Sequence, residues 1–130
     1  MTDVQAVLGI GQLRRLEETN ARRREIAKMY NDAFSGNGWF TAPEYSHTVQ
    51  YYTMKCERRD ALSDFLADKG IATSVHFKPL NHMTYWKKAE KRPLPVNDSV
   101  WLKLLTLPVH DGLTWSQVEY IISCVREFYS

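Results

Sequence analysis

Residues able to do chemistry concentrate in one stretch, Thr73-Ser74-Val75-His76-Phe77-Lys78-Pro79-Leu80-Asn81-His82-Met83-Thr84-Tyr85-Trp86. If Ile71 to Phe77 is a strand, His76 and Lys78 stand two residues apart and share one face. Pro79 breaks that strand, and a stiffened loop then presents His82, Tyr85 and Trp86. The loop is basic: residues 78–92 carry Lys78, Lys87, Lys88, Lys91 and Arg92 against Glu90 alone. Fixed positive charge beside an aromatic face suits both parts of a phosphate-bearing nucleotide. The competing readings are structural. They make His76 a satisfied strand histidine, Lys78 an edge-strand charge and the loop a solvated surface.

Other candidates fail on spacing. Gly9-Ile10-Gly11 begins like a dinucleotide loop, but Arg14 holds the third glycine position and no strand precedes it. Close helix packing explains those glycines better. His47, His76, His82 and His110 lie far apart, with no His-x-x-x-His or Cys-x-x-Cys pair to start a metal site. Cys56 and Cys124 sit in periodic apolar segments without the signature of a nucleophile. Ser46-His47-Thr48-Val49-Gln50 follows a Ser-His-x-x-Lys pattern, in which lysine binds pyridoxal phosphate. Gln50 stands in the lysine's place and has no nucleophilic amine.

These residues must be positioned by a short series of elements. Thr2-Asp3-Val4-Gln5 is a capping box that opens one helix over the first 35 residues, ended by Gly36-Asn37-Gly38. At about 1.5 Å per residue it runs to roughly 50 Å, longer than a small domain is wide, so one end must project or bend. Its opening segment, Val4 to Leu13, is apolar nearly all round and demands cover. Thr48 to Cys56 and Ile71 to Phe77 read as strands, with a helix from Glu57 to Lys69 between them stopped by Gly70. Asn97 caps a short helix, with Val96 and Trp101 as its hydrophobic staple. Leu104 to Leu107 is a third strand. Thr114-Trp115-Ser116-Gln117 is a second capping box, and it opens a closing helix with Val118, Ile121, Ile122, Val125 and Phe128 on one stripe. The expectation is an α/β (α+β) fold. It has a small, mostly antiparallel sheet of about three strands packed with helices behind a long N-terminal helix, as one domain over 1–130 (helix 1–35, body 36–130).

Composition agrees. The 130 residues are 44% hydrophobic, 25% charged and 12% aromatic, which excludes a disordered tail. Two cysteines are too few for a disulfide scaffold and suit a reducing cytoplasm. No apolar run reaches the roughly 18 residues that span a bilayer, and Val4–Leu13 lacks the basic leader of a secretory signal. Arg22-Arg23-Arg24 lies among Glu17, Glu18 and Glu25, an ion-paired face rather than a nucleic-acid stripe. Neither nucleic acid nor membrane is an expected partner.

Three stretches carry a resemblance. They are Met1-Thr2-Asp3-Val4-Gln5-Ala6 through Gln12-Leu13 and Ala21-Arg22-Arg23-Arg24; Gly70-Ile71-Ala72-Thr73-Ser74-Val75-His76-Phe77-Lys78-Pro79-Leu80; and Leu105-Thr106-Leu107-Pro108-Val109-His110 through Leu113-Thr114. In order and interval the chain resembles the C-terminal small domain of the DegT/StrS family of pyridoxal-phosphate sugar aminotransferases, which are fold-type I enzymes. The family pattern Pro-Leu-His-x-His-Pro is replaced here by Pro79-Leu80-Asn81-His82-Met83-Thr84. The resemblance implies that a larger N-terminal domain supplies the Schiff-base lysine, the acidic partner of the pyridine nitrogen and most of the phosphate cradle. None of Lys28, Lys55, Lys69, Lys78, Lys87, Lys88, Lys91 or Lys103 lies in a matching context.

What the resemblance implies for this chain is a truncated or isolated domain, inactive alone, binding no pyridoxal phosphate and carrying no catalytic residue. His76 and Lys78 would border a nucleotide-sugar site, with His82, Tyr85 and Trp86 nearby. The alternative is a free-standing, non-catalytic module that binds a nucleotide-sugar or assembles with itself or with a complete aminotransferase. Val4, Val7, Leu8, Ile10 and Gly11 are the expected interface, against a missing large catalytic domain or a second copy in a homodimer.

Overall fold

The computed structural model describes residues 1–42, 48–88 and 92–130, with the backbone alone for Lys87 and Lys88. Ser46 and His47 of the lysine-like pattern, and Glu90 and Lys91 of the basic loop, lie outside the described residues. Helix α1 spans Asp3–Phe34. Its capping box forms as the sequence predicts: Thr2 Oγ1 accepts from the Gln5 amide at 3.3 Å and Gln5 Oε1 from the Thr2 amide at 2.9 Å. The helix is anchored only in its second half. Asn20, Ile26, Ala27, Tyr30 and Phe34 are buried, whereas Val4 is 71% and Leu8 64% exposed. One end therefore projects. The close packing expected of the glycines is not made within this chain, since an added Cβ at Gly9 or Gly11 meets nothing within 4 Å.

The sheet is antiparallel throughout, in the order β1 (Phe40–Thr41), β2 (Tyr52–Cys56), β3 (Leu104–Leu107). Along β2 the alternation puts Tyr52, Met54 and Cys56 into the core, joined by Leu105 and Leu107 of β3. Helix α2 (Arg59–Asp68) supplies Leu62 and Leu66 to the same core. Helix α4 (Trp115–Tyr129) supplies Val118, Ile121, Cys124 and Val125. The α4 capping box forms between Thr114 and Gln117. Among the described residues, four α-helices and a three-stranded sheet make the mixed α/β fold. No helix among the described residues is long and apolar enough to cross a membrane.

Three expectations need correction. The strand that joins β2 and β3 in the sheet is β1, Phe40–Thr41, not Ile71 to Phe77. Gly70, at φ +75°, turns the chain out of α2, and the Ile71 amide bonds back to the Leu66 carbonyl at 2.8 Å. Thr73 shares a hydrogen bond with Ser63 of α2 at 2.8 Å. Held there, the segment makes its backbone pairing with β3 at the isolated Ser74–Thr106 bridge instead of along a ladder. The strand predicted from Thr48 begins instead at Tyr52, because β3 has four residues and its pairing ends at Tyr52–Leu107. Helix α3 (Pro95–Trp101) is not capped by Asn97: Leu94 holds that place without a side-chain cap, and proline opens the helix. Val96, 74% exposed, makes no staple.

Candidate functional site

A cleft of about 660 Å³ opens between the 70–76 segment, the end of β3 and the start of α4. Tyr51, Ser74, His76, Thr106, His110 and Gln117 are among its lining residues. Register builds its polar corner. Thr53 faces Thr106 across β2 and β3, away from the core side taken by Leu105 and Leu107, and the two hydroxyls meet at 3.0 Å. Ser74 exchanges both backbone bonds with Thr106, at 3.2 and 2.8 Å. His76, two residues on, returns to the same side and places Nδ1 3.0 Å from the Thr106 hydroxyl. Tyr51 stacks on the imidazole, with ring centroids 3.9 Å apart and 20° between planes.

A second, smaller cleft of about 510 Å³ is lined by Lys78, Asn81, His82, Arg92, Pro93, Asp98 and Trp101. Asp98 is its hub. His82 Nε2 lies 2.7 Å and Asn81 Nδ2 3.1 Å from Asp98 Oδ1, and the Asn97 amide reaches Asn81 at 3.4 Å. The hydrogen bond from His82, then that from Asn81, holds the Asp98 carboxyl below its ordinary value of 3.8. A depressed folded pKa stabilises the clasp above the ordinary value and surrenders it as pH falls through the lowered one. Lys78 and Arg92 line the same cleft. The Asn81 side-chain amide resonances are therefore expected to keep their bound positions down to the ordinary carboxylate range and to lose them in stronger acid. In Asp98→Asn this carboxylate-linked transition disappears; an unchanged acid transition in that variant contradicts the assignment.

The structure divides the residues singled out in the sequence. His76 belongs to the large cleft, while Lys78 and His82 belong to the small one, because the 71–77 segment is bridged only at Ser74 and does not carry His76 and Lys78 on a shared strand face. Tyr85, 82% exposed, and Trp86, 46% exposed, pack edge to face with each other, 5.0 Å between centroids. Neither is among the lining residues of these two clefts. Tyr51, Thr53 and Thr106 are the participants that sequence reasoning missed. Among the described residues, no group of three or more His, Cys, Asp and Glu side chains gathers.

The geometry defines an α/β body with one open, mostly apolar cleft wall carrying a fixed imidazole. The DegT/DnrJ/EryC1/StrS aminotransferase family matches residues 1–126, and the chain belongs to that family. It is 29% identical to an uncharacterised protein of Methanocaldococcus jannaschii, over all of this chain and 37% of that protein. Its structure is similar to the aminotransferase TlmJ of Streptoalloteichus hindustanus, at 32% identity and TM-score 0.86, over 96% of this chain and 35% of that one. A sugar aminotransferase of Streptococcus pneumoniae matches at 30% identity and TM-score 0.86, over 98% and 35%. DesV of S. venezuelae matches at 30% and 0.83, over 95% and 35%. The chain thus spans roughly a third of the length of these relatives.

The family is one of pyridoxal-phosphate enzymes, so the large cleft can be tested for that cofactor. Among the described residues, its lining holds His76 and His110 but no lysine, arginine, aspartate or glutamate. Pyridoxal phosphate needs an amine to bind covalently, an acid at the ring nitrogen and donors or cations around the phosphate. The residues of this cleft do not fit it.

Proposed function

We propose that this chain is the C-terminal part of a pyridoxal-phosphate-dependent nucleotide-sugar aminotransferase, forms one wall of its substrate cleft, and catalyses no transamination on its own. The observation that carries this reading is the coverage: sugar aminotransferases align with nearly all of this chain along about a third of their own length. The amine-free cleft supports the second half of the proposal. The cofactor and its lysine would come from the remaining two-thirds, and the residues here bind and orient substrate. His76 borders the site from the large cleft and Lys78 from the small one, with His82, Tyr85 and Trp86 on the adjoining loop. The 130 residues act as one domain, in the cytoplasm, where buried free thiols such as Cys56 and Cys124 persist. Neither nucleic acid nor membrane is a proposed partner: Arg24 is spent on Glu17 at 2.6 Å and Arg22 on Glu25 and the Leu113 carbonyl.

Mixing the chain with pyridoxal phosphate and an amino-acid donor is expected to leave the cofactor absorbance unchanged and to form no amino-sugar. Stoichiometric turnover would overturn the inactivity claim. The second reading is a free-standing non-catalytic module, and the uncovered half of α1 favours it, because that surface is built for assembly. Under this reading a second copy, or a complete aminotransferase, covers Val4, Val7, Leu8, Ile10 and Gly11.

A further inference from the structure

We propose that Thr106 and Tyr51 are positioning residues for His76, fixing its ring so that a single nitrogen, Nε2, is offered to a ligand in the large cleft. An imidazole on a surface segment turns about two torsions, and here both are constrained. The backbone of Thr106 clamps the chain two residues before His76 through the paired bonds to Ser74. The Thr106 hydroxyl then takes Nδ1, and the Tyr51 ring covers one face of the imidazole. The Phe77 ring adds an edge contact at 4.7 Å and 85°.

Thr106 is suited to this work because it is 6% exposed yet carries a hydroxyl. A buried hydroxyl must be satisfied, and this one sits between Thr53 and His76, each 3.0 Å away. The three groups form a short relay in which the direction of one proton sets that of the next. Neutral imidazole has one donor nitrogen and one acceptor nitrogen, and the Thr106 hydroxyl can serve either at Nδ1, so the contact fixes the ring and leaves Nε2 as the nitrogen for the cleft. Valine would keep the shape of Thr106 and abolish the relay. Serine would keep the hydroxyl and lose only a methyl group.

The positioning stands on geometry alone; its consequence for binding rests on the nucleotide-sugar reading above. The experiment is long-range proton–nitrogen NMR of the His76 ring in the full chain, at a pH where the imidazole is neutral. Thr106→Ser is expected to keep the wild-type ring-nitrogen shifts and Thr106→Val to move both of them. Identical shifts in wild type and Thr106→Val would overturn the proposal. If Thr106→Val does not fold, the exposed position 51 carries the test. The ring protons of wild-type His76 should lie upfield under the Tyr51 ring current and return toward free-histidine values in Tyr51→Leu. No change there overturns it equally.

Calorimetric titration with uridine diphosphate N-acetylglucosamine separates this proposal from the reading on which its use depends. Thr106→Val is expected to bind about tenfold more weakly than wild type, and Thr106→Ser within about twofold, the span of one hydrogen bond. A wild-type chain that binds nothing while its ring nitrogens respond to Thr106→Val keeps the positioning and removes nucleotide-sugar binding by this chain alone. Equal affinities of wild type and Thr106→Val remove the role of the positioning in binding.

Discussion

Replacing Tyr30 by alanine is expected to cost about 3–5 kcal/mol of unfolding free energy, the range for truncating a large buried aromatic. Tyr30 is fully buried on the anchored half of α1. Its ring lies 4.8 Å from that of Tyr52 on β2 and 6.0 Å from Phe34, so it is the point where the long helix grips the sheet. Its hydroxyl donates to the Pro108 carbonyl at 2.9 Å, just beyond β3. Burial drives the phenol pKa upward, so the group stays neutral and continues to donate. A domain is stable by only about 5–15 kcal/mol, and this one change removes a large share. Tyr30→Phe keeps the ring and leaves the Pro108 carbonyl without its donor, for an expected loss of about 1 kcal/mol. Urea or thermal unfolding of the two variants separates packing from hydrogen bonding. Equal losses in both would mean that the hydroxyl, not the ring, fastens the helix.

The second large effect concerns the free half of α1. Val4, Val7, Leu8 and Gly11 recur at i, i+3, i+4 and i+7, and Val4, Val7 and Leu8 are between 64% and 71% exposed. Each such side chain gains about 1.5–3 kcal/mol when fully buried. A two-fold pairing buries every one of them twice, and this offsets the cost of association, about 4–15 kcal/mol. Light scattering of the isolated chain at high concentration is expected to give twice its 15.2 kDa. Leu8→Glu, which places a charge in the centre of the stripe without touching the core, is expected to return the mass to 15.2 kDa. A strictly monomeric wild type at the same concentration contradicts the pairing. Gly11→Ala sharpens the result. On an unpartnered helix alanine adds about 0.5–1 kcal/mol of stability, so weakened association in that variant places Gly11 at a close helix crossing.

Local interactions were legible in the sequence, and distant ones were not. Both capping boxes involve residues three apart, so the pattern Thr-x-x-Gln contains the whole interaction. The apolar stripe of α4 was equally readable, because its burial repeats at the period of the helix, and the strand Leu104–Leu107 was readable as a short apolar run before Pro108. The segment Ile71 to Phe77 has strand composition, and composition reports an extended backbone but not whether a partner lies beside it. Phe40–Thr41 became a strand through position alone, since two residues carry no period. The surroundings of His76 were hidden for the same reason. Tyr51 and Thr106 lie 25 and 30 residues from it, and only the register of Thr53 against Thr106 brings them together. The family motif located the histidine without revealing what holds it.

The shortness of the sheet's outer members has a further consequence. An exposed strand edge presents a row of unpaired amides and carbonyls that recruits other chains. Here one margin is β1, only two residues long. At the other, Ser74 occupies both hydrogen-bonding groups of Thr106, and Arg59 Nη1 takes the Leu104 carbonyl at 3.3 Å. Little template remains for adding a strand. A chain that blunts both sheet margins in this way is guarded against the edge-to-edge stacking by which small β-containing domains polymerise.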